Sequence, residues 1–389
     1  MKVWKYLIGI AGLLLIMLSL DGFRWDYADN IPTPNLDYIA MNGVKAQSLK
    51  ASYPTKTFPN HYTMATGLYP DHHGIVQNSF YDPEMNAFYA IMDRNAVEDA
   101  AFYGGEPIWV TAEKQGLISA SYFWVGSEAP VQGIQPTYWK RYDHDFPFGQ
   151  RIDTVIYWLE LPEEKRPRLI TFYMHEPDGV GHHHEAGSKL FINTIIQLDS
   201  LVGVLINRVN ALPIAEEVNI IITSDHGMSP ISNERKVILE DYIDETWFEV
   251  IEGYNPNFLL KVKEAFRDTA FKALKAIEHI QVWEHGKVPE RLHYGFNPRT
   301  LDYIVVADSS WSIVMCRDKS VCIGAHGYDN DNKDMHTIFY AIGPAFKSKH
   351  VHPTFNNTDI YPLITTILEL EPAKVDGKTE NILGMLKEN

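Results

Sequence analysis

The chain has 389 residues, with 34 Lys and Arg against 50 Asp and Glu, and a formal charge of −16. That balance argues against a protein that holds nucleic acid nonspecifically, which needs Lys and Arg to neutralise phosphates, although a local cation would still admit a phosphate substrate. With 45% hydrophobic and 22% charged residues the chain is not disordered, and two cysteines cannot staple a scaffold.

Residues Met1–Leu20 read as two lysines followed by an apolar run. A basic start and apolar centre resemble an export signal, and the run is short of the roughly 20 apolar residues of a membrane span. It passes without a spacer into Asp21-Gly22-Phe23-Arg24, so Leu15–Leu20 also reads as a buried first strand with a carboxylate at its tip. No small-residue cleavage site separates the two roles. An extracytoplasmic location (periplasmic, secreted or membrane-associated) is the expectation, with the signal abutting the strand.

Beyond this segment strands and helices alternate. Leu169–Met174, Val218–Thr223 and Thr337–Ile342 are apolar runs rich in β-branched and aromatic residues, as strands buried on both faces are. Helical patterns run through Thr154–Leu161, Ser188–Arg208 and Asp359–Leu370. The order predicts an α/β fold with a doubly wound, mostly parallel central sheet. Residues 245–312 break the pattern, with a helix expected over Leu259–Ile277 and short strands around it. They are assigned to a small inserted α+β cap, and 21–244 with 313–389 to the catalytic domain. About 150 residues per domain is the usual scale, which suits one large domain with an insertion.

Chemistry in such sheets gathers at the carboxyl ends of the strands. Four clusters fall there: Asp21; Asp178 and His182 in HEPDGVGHH; Asp225-His226 after NIIITS; and His326 in GAHGYDN, after an expected strand at Val321-Cys322-Ile323. Singly, each has a bland explanation, since Asp-Gly is commonly a turn and Asp-His a capped helix start. Jointly they are hard to tolerate without cations, because buried carboxylates need partners. Carboxylate oxygen with imidazole nitrogen suits zinc, and two such sets suit a two-metal site.

A nucleophile is available in Tyr53–His61, YPTKTFPNH. Thr57 precedes Pro59 where an N-cap hydroxyl belongs, and a capping role is the commoner fate of such a residue. The same helix start would offer N–H groups to phosphate oxygens, and a neighbouring metal would lower the hydroxyl pKa.

The string YPTKTFPNHYTMATGLYPDHHGI, with SLDGFR upstream and ITSDHGM and GAHGYDN downstream, resembles the nucleotide pyrophosphatase/phosphodiesterase family of the alkaline phosphatase superfamily. Gly104–Trp109, Pro147–Pro162 and Gly343–Lys347 extend the likeness from Asp21 to about Leu370. The resemblance implies Thr57 as nucleophile and as a ligand, with Asp21, Asp225 and His226, of one zinc. Asp178, His182 and His326 match the ligands of a second zinc. Asn78 matches the amide that holds a nonbridging phosphate oxygen, and Phe58 and Tyr142 the aromatics that stack a nucleobase. His61, His183, His184 and His336 match no ligand and are assigned supporting roles. The tail of GHHHEAG departs from the glycine-proline ending often seen there, and the abrupt start leaves room for a missing segment. The accessory domains of the animal members are not expected.

The function implied is zinc-dependent hydrolysis of nucleotide phosphodiester or pyrophosphate bonds through a covalent threonine intermediate, releasing nucleoside 5′-monophosphates. A neutral Asn78 clamp with two aromatics favours a diester over a dianionic monoester. The alternatives are a phosphomonoesterase or phospholipid-directed phosphodiesterase of the same superfamily, and a noncatalytic metal- or ligand-binding protein. A small-molecule nucleotide is the expected partner, with no stable nucleic-acid complex and no protein partner, and the chain is expected to be a monomer. Cys316 and Cys322 flank a short polar span, so a disulfide and two free thiols both remain open. Asn356-Asn357-Thr358 fits a glycosylation sequon too short to carry weight.

Overall fold

The architecture, taken from a computed structural model describing residues 12–388, is set by the first apolar run. Leu14–Leu20 (β1) is buried along its length, and its side chains divide by parity. Leu15 and Met17 enter one core, while Leu14, Ile16, Leu18 and Leu20 enter another. Successive strand residues face opposite ways, so a strand apolar at every position needs cover on both faces. The export-signal reading falls largely on residues outside those described; Leu14–Leu20 itself is sheet.

Seven strands complete the central sheet: Val44–Ala46 (β2), Ser119–Tyr122 (β3), Tyr138–Lys140 (β4), Leu169–Met174 (β5), Val218–Thr223 (β6), Phe339–Ile342 (β7) and His350–His352 (β8). Their order is β8-β2-β7-β6-β1-β5-β3-β4. β1 pairs in parallel with β5 and β6, and of the eight only β7 runs against the rest. Helices Pro34–Asn42, Phe148–Glu160 and Lys189–Asn210 cover one face. Thr57–Thr66, Ile108–Lys114 and Ile360–Ile367 cover the other. In the longest helix, Phe191, Ile195, Leu198, Val202, Leu205 and Val209 form the buried stripe, and Ser188 caps its start by accepting from Phe191 N–H.

A second sheet lies within 245–312. Its four antiparallel strands are ordered Phe248–Tyr254, Asn257–Val262, Tyr303–Ala307, Ile280–Glu284. The helix expected over Leu259–Ile277 is therefore half wrong: its first part is a strand paired on both sides, and the helix is Arg267–Lys275. A short unbroken apolar run carries no period, and pairing on both edges decided it. One face of this sheet holds its own core with Leu274 and Val282, whereas Leu259, Ile304 and Val306 on the other belong to the main core. The strand expected at Val321-Cys322-Ile323 is also absent: a two-residue strand, Gly324–Ala325, pairs with Ser229–Pro230 instead. Cys316 and Cys322 are both free. Asn356 belongs to a capping box with Asp359, ahead of the last helix.

Candidate active site

The site assembles at the carboxyl ends of β1, β5 and β6. Asp21 follows β1 directly and Asp225-His226 lie two residues beyond β6, so parallel pairing alone brings them together. Gly22, with φ +71°, makes the turn; a side chain there would meet Asp178 Cα at 2.9 Å, so only glycine lets the two loops close. The Asp178 N–H donates to the Asp21 carbonyl at 3.0 Å, and the Gly22 N–H to Asp225 Oδ1 at 3.2 Å.

Three imidazoles point inward in one tautomer. Nδ1 of His226, His182 and His326 donates to the carbonyls of Gly227 (2.9 Å), Gly324 (2.8 Å) and Thr55 (3.0 Å). Carbonyls can only accept, so each ring turns its Nε2 inward. His226 Nε2 lies 3.0 Å from Asp225 Oδ2 and 3.4 Å from Asp21 Oδ1. Asp178 Oδ1 lies 3.4 Å from His182 Nε2 and 3.6 Å from His326 Nε2. The His226 and His326 rings stack at 3.5 Å between centroids.

Charge in this space is unbalanced. Asp21 Oδ1, Asp178 Oδ1 and Asp225 Oδ2 are buried without any hydrogen-bond partner. Burial, then the charges of Asp225 and Asp178, push the Asp21 carboxyl well above the usual carboxylate range. Burial also raises Asp225, but His226, His61 and the Gly22 N–H outweigh it and hold it low. Burial, then His226, Lys56 and His182, depress His326 far enough to keep it neutral, so its lone pair faces a carboxylate oxygen. Asp225 in turn raises His226 against the effect of burial, so the proton there only partly offsets the two carboxylates Asp21 and Asp225, while the His326 lone pair faces bare Asp178 Oδ1. Bare carboxylate oxygens and inward imidazole nitrogens form a cation seat, and the residues present fit bound metal. Among the described residues, the two groups whose ligand atoms lie within 4.8 Å of one another are Asp21, Asp225, His226 and Asp178, His226, His326. His182 joins the second through Asp178.

Thr57 sits at the rim. It is the first residue of its helix, after Lys56, and makes no capping bond, which corrects the N-cap expectation. Its hydroxyl instead lies 3.1 Å from His226 Nε2. His61, one turn on, donates from Nδ1 to the Thr57 carbonyl at 2.9 Å and meets Ser19 through Nε2. Asn78 is buried, accepting from the Phe58 N–H at 2.9 Å and donating from Nδ2 to the Tyr254 hydroxyl at 2.8 Å. Phe58 packs with the core on its own side of the sheet and Tyr142 with the core on the opposite side. His183 and His184 are exposed, and His336 is tied to Ser48.

Four residues at the site escaped the sequence reading. The Tyr173 hydroxyl, at the end of β5, donates to Asp21 Oδ2 at 2.5 Å. Arg151 is fully buried with no carboxylate; it bonds the carbonyls of Phe146, Tyr173, His144 and Asp143, between the rings of Phe123 and Phe148. It thereby pins the loop that presents Tyr142. Lys56 is buried, and burial pulls its amine down to about 7. Tyr254 arrives from the inserted sheet. Tyr173 had a signal, as the penultimate residue of a strand aimed at the site; the others had none beyond adjacency or charge.

The sequence profile of the type I phosphodiesterase / nucleotide pyrophosphatase family matches residues 15–329. A venom phosphodiesterase of Crotalus durissus collilineatus is 37% identical over 384 residues, covering 96% of this chain and 46% of that protein. Human ectonucleotide pyrophosphatase/phosphodiesterase family member 5 is 35% identical over 373 residues, covering 96% and 78%. The chain thus spans about half the length of the venom relatives it matches. An inactive threonine-to-alanine variant of murine ectonucleotide pyrophosphatase/phosphodiesterase 5, solved with AMP, superposes with a TM-score of 0.93 at 33% identity, covering 96% of this chain and all of that one. The central sheet is accordingly of the alkaline-phosphatase-like type, and the chain belongs to the type I phosphodiesterase / nucleotide pyrophosphatase family.

Proposed function

We propose that this protein hydrolyses nucleotide phosphodiester or pyrophosphate bonds through a covalent intermediate on Thr57, with zinc at the two acidic-histidine groups, and releases nucleoside 5′-monophosphates. The observation that carries the reading is the set of three buried, unpartnered carboxylate oxygens facing inward imidazole nitrogens beside the Thr57 hydroxyl. Mixed oxygen and nitrogen donors without thiolate suit zinc. Bound there, zinc would supply Lewis acidity that lowers the Thr57 hydroxyl pKa and neutralises charge on the leaving oxygen.

The chain's own groups do the positioning. His226 brings the group it forms with Asp21 and Asp225 beside Thr57 Oγ1, while Asp178, His182 and His326 would hold the neighbouring seat. Asn78, its amide oriented by the Phe58 N–H, keeps one Nδ2 hydrogen on the Tyr254 hydroxyl and has the other to offer a nonbridging phosphate oxygen. Thr57 Oγ1 gives up its proton to solvent and bonds to phosphorus as the bond to the leaving oxygen breaks in line, the leaving oxygen taking up a proton from solvent. Water then displaces Oγ1, which regains its proton, and the nucleoside monophosphate leaves. The Lys56 amine is engaged with the Asn255 carbonyl and the Tyr254 ring, so the clamp at Asn78 stays neutral and suits a diester.

Phe58 and Tyr142 are the surfaces assigned to the nucleobase. The AMP bound by the murine relative supports a nucleotide substrate. The venom and ecto-enzyme relatives support an extracytoplasmic location. We assign the chain a monomeric state with no stable nucleic-acid or protein partner. Acid quench during turnover of a nucleotide diester, followed by peptide mass spectrometry, tests the reading. A nucleoside monophosphate adduct on the Thr57 peptide is expected; an unmodified peptide under steady turnover would overturn it.

A further inference from the structure

The inserted sheet reaches into the site through one hairpin tip, Tyr254-Asn255-Pro256-Asn257. This tip touches three of the motifs described above. Lys56, the residue before Thr57, donates to the Asn255 carbonyl at 2.8 Å and sits 4.3 Å from the centre of the Tyr254 ring. Asn257 Nδ2 donates to the carbonyl of Gly327, the residue after His326, at 2.8 Å. A side chain on Gly327 would meet Asn257 Oδ1 at 2.3 Å and Lys56 Cε at 2.5 Å, so the tip and the His326 loop are fitted to each other at backbone distance. Third, Asn78 Nδ2 donates to the Tyr254 hydroxyl at 2.8 Å.

The hydrogens decide what that last contact does. The Phe58 N–H holds Asn78 Oδ1, which fixes the amide with its nitrogen toward Tyr254. The Tyr254 oxygen accepts, so its own hydrogen is free, and no acceptor for it occurs among the described residues. Although Tyr254 is 44% exposed, burial around its oxygen, then the negative charges of Asp178 and Asp21, push the phenol up to about 12 despite the Asn78 bond; it stays protonated in neutral solution. A neutral donor adds a hydrogen bond without adding charge, which matches a monoanionic diester.

We propose that Tyr254 is a catalytic residue whose hydroxyl donates to a nonbridging oxygen of the transferring phosphoryl group, beside Asn78 Nδ2. This rests on the phosphodiesterase reading of the same site. It gives the insertion a part in the chemistry, because a donor placed where charge develops acts on the transition state.

The test is a double-mutant cycle on the zinc-loaded chain, with nitrophenyl thymidine monophosphate and bis(nitrophenyl) phosphate as substrates. Tyr254→Phe is expected to lower kcat/KM about tenfold on both, mainly through kcat, with an unchanged melting temperature. In an Asn78→Ala background it should still cost at least about threefold, because its contact is its own. AMP binding to Thr57→Ala protein, read by calorimetry, should weaken on adding Tyr254→Phe. A loss under twofold, or one that disappears in the Asn78→Ala background, would overturn the proposal; the latter would leave Tyr254 acting only through Asn78. Wild-type protein without chelator-sensitive diesterase activity would instead overturn the reading on which the proposal rests.

Discussion

Thr57 Oγ1 stands 3.1 Å from Nε2 of His226, a ring whose other nitrogen is already committed to the Gly227 carbonyl at 2.9 Å. The hydroxyl and the imidazole are held by different layers of the fold: one opens a helix on one face of the sheet, the other follows β6. Their closeness is a product of tertiary structure, and it sets the first expectation. Thr57→Ala should lower kcat on nucleotide diesters by about 10³-fold or more, roughly 4 kcal/mol of barrier, while retaining most of the bound zinc. Turnover and metal content of the same preparation check it; near-normal turnover would remove Thr57 from the mechanism.

Three bare carboxylate oxygens are a cost to the metal-free protein. Asp21→Asn should therefore raise the melting temperature in chelator, since it relieves the repulsion that lifts the Asp21 carboxyl, and Asn can still accept from Tyr173. The same variant should lose much of the rise that zinc gives the wild type. That rise reflects ligand-linked stability of about 2.7 kcal/mol at 100 times Kd. Thermal melts of both proteins, with chelator and with zinc, give the four values; a variant less stable than wild type in chelator would count against the cation seat.

Arg151 offers a prediction at a distance from the reacting atoms. Its guanidinium ties the carbonyls of Asp143, His144 and Phe146 to that of Tyr173, and so fixes the loop carrying Tyr142. Arg151→Met should raise KM for nitrophenyl thymidine monophosphate about tenfold, and KM for bis(nitrophenyl) phosphate much less. Phe58→Ala and Tyr142→Ala should show the same selectivity. Equal losses on both esters would mean that the aromatics pack the core and do not read a base.

His73 carries a pH signature unrelated to the metal. It is fully buried, its Nδ1 accepts from the Ile75 N–H and its Nε2 meets Thr63, and burial draws its pKa down to about 3. The unfolded value is near 6.5, so between the two the unfolded chain binds the extra proton and stability falls as pH falls. The loss is about 1.4 kcal/mol per pH unit from this group, beginning below about pH 6.5. In chelator, the stability gap between wild type and His73→Gln should narrow from pH 7 to pH 5 in denaturant titrations. A constant gap would show that His73 is not held neutral.

The strands were legible because fully buried strands advertise themselves: LITFYM and VNIIIT are apolar but for Thr171, Asn219 and Thr223, and they occur as β5 and β6 at those bounds. The clustering of Asp21, Asp178, Asp225, His182 and His226 was legible for a related reason, since each follows or closely trails such a run; His326 was placed there by an expected strand at 321–323 that is in fact the two-residue strand Gly324–Ala325. What could not be read depends on contacts across the chain. NFLLKV is a strand because two others flank it, not because of its own period. Tyr254 lies 176 positions from Asn78, and no local pattern marks a hairpin tip that reaches back to the site. Thr57 obeys the sequence rule for a helix start but stands one residue inside it, which frees its hydroxyl from capping.

The most direct measurement of the central claim compares nitrophenyl thymidine monophosphate with nitrophenyl phosphate on the zinc-loaded protein, with and without chelator. Chelator-sensitive turnover that strongly prefers the diester is the predicted result. A preference for the monoester, or turnover indifferent to chelator, would contradict it.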